Sequence, residues 1–236
     1  MITELQSTIA RLSQQLCDPL FKNSFFLALS RIINISVGFF FWMVAARIYP
    51  MEDVGLTTAL IASQSLITLF SVFGFDFSLI RFLPIFGETS VYNTCLLITI
   101  FSSFIISGFY ISCTQIISPG LVFIQRPACA AVFILFSILN TITLINGNTL
   151  LALRKGKEYM VQSILLAIRI PLLFPLSFLK SFGIFTSMGL AYFISTLYGL
   201  FVLNRLVGMR LQADKHFIQE SFRFSFWNYL SNILER

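Results

Sequence analysis

The most informative pattern along the chain is a series of long apolar runs separated by short polar breaks. Six windows of about 20 apolar residues stand out, each long enough to cross roughly 30 Å of hydrocarbon as an α-helix. They are Phe25–Ile48, Leu56–Ile80, Val91–Ile117, Ala128–Leu153, Tyr159–Leu179 and Ile184–Leu203. The sequence therefore predicts an all-α polytopic membrane protein with six full spans.

The breaks between these runs are short and carry the residues that end helices. They read RIYPMEDVG, RFLPIFGETS, SPGLVFIQRP, RKGKE and KSFG, with proline, glycine and charge in most of them. Connectors of this length leave no room for an extramembrane domain. The predicted organisation is an N-terminal segment over 1–24, a six-span lobe over 25–204, a polar connector over 205–224 and the start of a seventh helix over 225–236.

The segment before the first span holds no uninterrupted apolar stretch and no cleavage-site pattern, so no removable signal peptide is predicted. Its apolar residues recur at spacings of three and four, which is typical of a short amphipathic helix on a bilayer surface. They are Ile2, Leu5, Ile9, Leu12 and Leu16, and Pro19 ends the pattern. A frayed polar tail is the alternative interpretation.

Composition supports lipid as the solvent for most of the chain. Hydrophobic residues make up 57% of the sequence and charged residues 11%, against roughly 25% charged in an average soluble domain. The 28 phenylalanines make the apolar content bulky. A soluble domain of this make-up would expose large apolar patches, which soluble proteins avoid.

The basic residues are distributed unevenly between the two predicted sides. Ten fall in the segments that are cytoplasmic if the N-terminus is cytoplasmic, and three in the outer segments. The inner set is Arg11, Lys22, Arg81, Arg154, Lys155, Lys157, Arg205, Arg210, Lys215 and Arg223, and the outer set is Arg47, Arg126 and Lys180. This positive-inside bias predicts a cytoplasmic-membrane protein with its N-terminus in the cytoplasm. It also accounts for the net charge of +6 without a nucleic-acid partner.

Neither the cysteines nor the one histidine indicate a metal site or a cofactor. Cys17, Cys95, Cys113 and Cys129 form no CxxC pair and no Cys/His pair at metal-ligand spacing. Cys95 and Cys113 fall on one predicted helix about 27 Å apart, too far for a disulfide. His216 lies in the polar connector and is interpreted as a solvated loop residue.

An arginine and two prolines mark the fifth predicted span as unusual. Arg169 falls about ten residues into the span, near the bilayer midplane, where an arginine costs at least ~2.5 kcal/mol on insertion scales. Its side chain should therefore face protein or water. Pro171 and Pro175 each remove a backbone donor and favour a kink or local unwinding. A bent helix beside a buried cation is a candidate moving part and cavity wall.

The first span also carries polar side chains on one helical face, among them Arg31 and Asn34. Arg31 lies only two turns into the span. It is interpreted either as a cavity residue or as an arginine that snorkels to the interface or pairs between helices.

The second and fourth spans add further polar groups. Asp76 is the one acidic residue well inside a predicted span, and Arg81 follows five residues later. Asp76 is interpreted either as an ion-pair partner for Arg81 or Arg31 or as a titratable coupling site. Asn140 shares a face of the fourth span with Thr143 and Gly147, where it either binds a substrate or joins helices by hydrogen bonds. Polar groups on four spans favour a water-filled path for an anionic substrate.

Three strings in the sequence carry a family resemblance: NSFFLALSRIINISVGFFFWMVAARIYPMEDVGL, GFDFSLIRFLP and RIPLLFPLSF. They resemble the N-terminal half of the polysaccharide-biosynthesis proteins, the Wzx-like oligosaccharide flippases of the multidrug/oligosaccharidyl-lipid/polysaccharide exporter superfamily. The resemblance runs over nearly the whole chain. It is most specific in AARIYPMEDVG and GFDFSLIRFLP, where a helix-exit arginine, a proline turn and an acidic pair precede the second span.

The resemblance implies two six-helix lobes around a V-shaped cavity, and a rocking motion that moves a lipid-linked saccharide across the membrane. It also implies that cavity cations hold the pyrophosphate of a polyprenyl-linked saccharide, and Arg31 matches that pattern in position and residue type. Arg169 and Arg81 are weaker matches. The implied process is flippase transport for polysaccharide biosynthesis or lipopolysaccharide O-antigen export, without bond chemistry.

The chain differs from this family in length, since family members have about twelve to fourteen spans. One lobe encloses no cavity, so the implied partner besides membrane lipid is a second lobe or a second copy. The alternatives are a non-transporting lobe or subunit and a multidrug exporter of the same superfamily, although a cationic drug would favour carboxylates over arginines. No HExxH, nucleophile elbow or paired-carboxylate motif supports a membrane enzyme.

Overall fold

The structure is a computed structural model that describes residues 19–208. In this part of the chain all regular secondary structure is helical. The α-helices are α1 (Pro19–Ile48), α2 (Met51–Val72), α3 (Phe75–Phe86), α4 (Glu88–Ile117), α5 (Pro127–Ala152), α6 (Gly156–Leu165), α7 (Arg169–Leu172) and α8 (Ser181–Leu206). The predicted N-terminal surface helix, Cys17, His216, most of the 205–224 connector and the predicted seventh helix lie outside the described residues.

Five of these helices, α1, α2, α4, α5 and α8, are long and apolar enough to cross a membrane. They match five of the six predicted spans in position. Large apolar side chains remain exposed along them, including Phe39 on α1 and Phe101 and Phe109 on α4. This outward apolar surface is what a lipid solvent requires. The prediction of an all-α polytopic membrane protein is confirmed.

The second predicted span is shorter than the sequence pattern suggested. The apolar run continues to Ile80, but α2 ends at Val72 and the backbone turns through left-handed conformations at Phe73 (φ 47°) and Gly74 (φ 75°). Glycine adopts this conformation without steric cost and so permits the helix to end here. The separate helix α3 has 12 residues, about 18 Å at 1.5 Å per residue, too short to cross the hydrocarbon.

Helix α3 lies against α4 and α5 through one face. Phe75, Leu79 and Leu83 recur every four residues and are buried, whereas Ile80 and Arg81 are exposed. The spacing places the buried set on one side of the helix, which is the pattern of an amphipathic helix. Together with Tyr92, Ile145 and Leu203 this face forms one of three apolar cores.

The fifth predicted span is interrupted, as its two prolines indicated. After α6 the chain continues as a 3₁₀ turn (Leu166–Ile168), the short α7, and a second 3₁₀ turn (Ser177–Leu179). Pro171 cannot donate to the carbonyl one turn before it, and Pro175 repeats the defect one turn later. The Tyr49 hydroxyl donates a hydrogen bond to the backbone oxygen of buried Leu173, at 2.9 Å. This contact fixes the interrupted part of the fifth span, residues 166–179 (the broken segment), against the end of α1.

Close approaches at glycines hold α8 against its neighbours. A Cβ atom built on Gly189 would overlap the ring of Phe136 on α5, and one on Gly199 would lie 2.6 Å from Nδ2 of Asn146. Phe136 also packs on Phe185 with ring centroids 5.5 Å apart. Small residues that let two helices approach are the usual means of packing within membranes, where the apolar solvent gives little drive for association.

We expect Gly189→Ala to destabilise the protein by about 1–3 kcal/mol, because the added methyl must displace the Phe136 ring in a packed core. Gly108→Ala is the matched control, since Gly108 lies inside α4 and nothing lies within 4 Å of a Cβ built there. It should be neutral or stabilising by up to about 1 kcal/mol. Unfolding of both variants in detergent measures the difference. Equal stability of the two would contradict the tight α5–α8 contact.

Candidate functional site

A cleft of about 260 Å³, lined by polar side chains, lies between α1, α5, α6, the first residue of the broken segment and α8. It is partly open, and its lining residues come from helices that are far apart in sequence. They are Asn34, Asn140, Thr143, Leu144, Gly147, Asn148, Tyr159, Gln162, Ser163, Leu166 and Tyr192. Asn34, Asn140 and Tyr192 each lie near the middle of a long helix, so the cleft lies at mid-membrane depth if these helices cross the bilayer.

Hydrogen bonds connect the polar lining to the surrounding helices. Asn34 of α1 donates from Nδ2 to the Ser163 hydroxyl of α6 at 3.1 Å. Asn140 of α5 donates to the Thr68 hydroxyl of α2 at 3.0 Å, and Gln162 donates from Nε2 to the Thr143 backbone oxygen at 2.9 Å. Each bond joins two helices, so the polar groups position one another across the lobe.

Arg169 lies next to this cleft, at the first residue of α7. Its guanidinium carbon stands 5.0 Å from the ring centroid of Phe41 on α1, within cation–π distance. Tyr192, which lines the cleft, lies within electrostatic reach of it. Helix α1 approaches here without a side chain, since a Cβ built on Gly38 would lie 3.9 Å from the Arg169 Nη2.

The charge of Arg169 is poorly compensated. Its Nε is buried and makes no hydrogen bond, and among residues 19–208 no carboxylate pairs with it. Removing a charge from water without a partner costs several kcal/mol, and the face of an aromatic ring returns only about 0.5–2 kcal/mol. A cation with no carboxylate partner in this part of the chain, beside a partly open cleft, is therefore a site at which an anion would be stabilised.

The local sequence explains how the arginine reaches this position. The 3₁₀ turn Leu166–Ile168 tightens the backbone immediately before Arg169, and Pro171 follows two residues later. A 3₁₀ turn rises about 2.0 Å per residue with three residues per turn, so it shifts the following side chains relative to a continuous α-helix. The two prolines and the half-buried arginine are thus parts of one structural feature.

The structure brings three of the six predicted site residues together. Asn34 and Asn140 line the cleft, and Arg169 lies beside it. Arg31 lies one turn before Asn34, and its side chain is exposed in the described part of the chain. This exposure is compatible both with an arginine that snorkels to the interface and with one that faces a cavity.

The remaining two residues, Asp76 and Arg81, lie elsewhere. Both belong to α3, which packs against α4 and α5, whereas Arg31 lies on α1, which packs mainly against α6. Asp76 is half-buried in the first turn of α3 near Cys95, and Arg81 is exposed with its guanidinium carbon 5.6 Å from the Phe82 ring centroid. The structure therefore gives no support to a pair between Asp76 and Arg31.

Several cleft residues had no place in the sequence-based set. Tyr159, Gln162 and Ser163 lie on one face of α6, and Tyr192 comes from the middle of α8. The first three recur at spacings of three and four, which would have marked a polar face at the start of the fifth span. Tyr192 has Ser195 and Thr196 three and four residues after it on α8, so a polar face could be recognised there as well.

The fold and the described site define the protein as an all-α polytopic membrane protein with a polar cleft inside its helical lobe. Comparisons with protein-family models, with curated proteins and with solved structures give no match to this chain.

Proposed function

We propose that this protein is a transporter component that moves lipid-linked saccharide precursors across the cytoplasmic membrane by alternating access. The observation that carries the proposal is Arg169, a cation with no carboxylate partner among residues 19–208, on a broken helix beside a partly open cleft lined by polar side chains. A pyrophosphate group is the kind of anion that a planar guanidinium binds through two oxygens at once. The sequence resemblance to Wzx-like flippases points to the same substrate class.

The broken segment supplies what such a mechanism needs in addition to a binding charge. A discontinuous helix has backbone groups that neighbours or water must satisfy, and it can change its shape at lower cost than a continuous helix. Substrate sites near the bilayer midplane on discontinuous helices recur among secondary transporters. Arg169 belongs to the broken segment, so a change in the shape of this segment would move its charge.

The absence of carboxylates from the cleft separates this proposal from a multidrug exporter. None of the residues lining the described cleft is acidic, and the charged residue beside it is a cation. A site for cationic drugs would require the opposite sign. The proposed transporter is completed by a second lobe or a second copy, and Arg31 on the exposed side of α1 is the proposed contribution to the shared cavity.

The test of this function is depletion of the protein in the cells that produce it. Lipid-linked saccharide labelled with a radioactive sugar should accumulate on the cytoplasmic face of the membrane, and re-expression should clear it. Accessibility to a glycosidase added outside spheroplasts reports the side on which the sugar lies. An unchanged distribution after depletion of the protein would rule out this function.

A further inference from the structure

The cleft itself, as distinct from Arg169, has the chemistry of a site for an uncharged ligand. All of its lining side chains are neutral, and they include four amides, hydroxyl groups and two tyrosine rings. The amides are Asn34, Asn140, Asn148 and Gln162. Amides both donate and accept hydrogen bonds, as hydroxyl groups of a ligand do, whereas aromatic rings offer apolar faces.

Among the described residues that line this cleft, one fully buried side-chain atom has no hydrogen-bond partner. Gln162 is only 3% exposed, and although its Nε2 donates to the Thr143 backbone, its Oε1 accepts no hydrogen bond. An amide oxygen buried in this way costs free energy until a donor reaches it.

Glycine at position 147 lets the Tyr159 ring pack close to α5 beside the Gln162 amide. Oε1 lies 4.0 Å from the point that a Cβ of Gly147 would occupy, and the Tyr159 ring lies 3.1 Å from the same point. Because residue 147 is glycine, the Gln162 amide and the Tyr159 ring lie side by side in the wall of the cleft. An unpaired acceptor next to an aromatic ring suits a hydroxylated ring with one polar edge and one apolar face.

We propose that this cleft binds a single sugar ring of the transported saccharide, with the Gln162 amide as a main hydrogen-bonding group. The choice of a sugar as ligand rests on the proposed transport function. Sites for drug-sized molecules run from about 300 to 1,000 Å³, so a cleft of about 260 Å³ suits one ring rather than a chain of rings. The site is thus divided: Arg169 takes the anionic group and the neutral cleft takes an attached sugar.

Binding of free sugars tests this assignment separately from transport. Saturation-transfer NMR is recorded on the protein in lipid nanodiscs with methyl glucoside, methyl galactoside or N-acetylglucosamine, and with glycerol as a small polyol that lacks a ring. We expect saturation of at least one of the three sugars, little saturation of glycerol, and none with empty nanodiscs.

Two variants locate the site. Gln162→Leu and Asn148→Leu should each weaken sugar binding by about fivefold, the loss of one neutral hydrogen bond. Gln64→Leu is the matched control, because Gln64 is also a buried glutamine with an unpaired atom, Nε2, but does not line the cleft. Its sugar binding should equal that of the wild type. Each variant is first compared with the wild type in thermal stability, and Asn148→Leu decides the question if Gln162→Leu fails to fold.

The outcomes separate the two proposals. Absence of sugar binding to the wild type, saturation of glycerol equal to that of the sugars, or equal losses in the cleft variants and in Gln64→Leu would each overturn the cleft assignment, even if transport is observed. Sugar binding that depends on Gln162 and Asn148, in a protein whose depletion leaves lipid-linked saccharide unaffected, would overturn the transport function and leave the cleft assignment standing.

Discussion

We expect Arg169→Met to lower transport of lipid-linked saccharide by at least about tenfold while making the protein more stable. Methionine matches the length of the arginine stem and can occupy the space against Phe41 without a charge. The variant removes a cation whose burial has no compensating carboxylate among residues 19–208. A residue kept for structure would lower stability when replaced, so opposite changes in stability and transport identify a residue that binds substrate.

The size of the effect follows from the interaction that is lost. A hydrogen bond to a charged group is worth about 1.5–3 kcal/mol, which corresponds to a loss of substrate affinity of about 10- to 150-fold. Transport is measured by complementation of depleted cells, with the quantity of protein in the membrane determined in parallel. Stability is measured by thermal unfolding in detergent.

Two further variants serve as controls for Arg169→Met. Arg169→Lys keeps the charge but loses the planar fork of donors, so it should retain part of the activity. Arg205→Met changes an arginine in a similar setting, 4.2 Å from the Phe201 ring centroid, but that arginine is exposed near the end of α8. It should transport at the wild-type rate. Normal transport by Arg169→Met would remove Arg169 from the substrate site.

The second large effect concerns the prolines of the broken segment. We expect the double variant Pro171→Ala/Pro175→Ala to lower the transport rate at least tenfold without unfolding the protein. Each alanine restores a backbone donor, and alanine is about 3 kcal/mol more favourable than proline inside a helix. The segment between Leu166 and Leu179 should then become a continuous helix that holds Arg169 in one position.

Hydrogen exchange provides the structural readout for this double variant. Amides of residues 166–179 should exchange more slowly than in the wild type, because they gain helical hydrogen bonds. Pro127→Ala is the matched control: Pro127 is the first residue of α5, where proline is tolerated because its missing N–H has no helical partner in any case. A double variant with slowed exchange and normal transport would show that the break is unnecessary for function.

Hydropathy alone predicts most of the fold, since five of the six apolar windows become long helices. It fails at the end of the second window, where GFDFSLIRFLP continues the apolar run although the helix is broken at Phe73 and Gly74. A hydropathy window averages over the turn and cannot register one left-handed glycine. The interrupted fifth span was predictable because proline acts on the backbone directly, whatever surrounds it.

The site is less predictable than the fold, because it is made by contacts between distant parts of the sequence. Asn34 and Ser163, which form a hydrogen bond across the cleft, are 129 residues apart. Arg169, Asn34 and Asn140 could be selected because charge and amide groups are costly in a membrane interior. Asp76 was selected for the same reason, yet it lies on α3, a helix that is too short to span. Gln162 and Tyr192 were omitted because neither residue type is unusual enough in isolation.

The most direct test of the central claim, that Arg169 recognises the anionic group of a lipid-linked saccharide, is a comparison of two ligands. Affinity of the wild-type protein is measured for a polyprenyl-pyrophosphate sugar and for the uncharged polyprenyl alcohol of the same chain length. We predict that the wild type binds the pyrophosphate form at least tenfold more tightly and that Arg169→Met binds the two with similar affinity. Equal affinity of the wild type for the two ligands, or a preference that survives in Arg169→Met, would contradict the account.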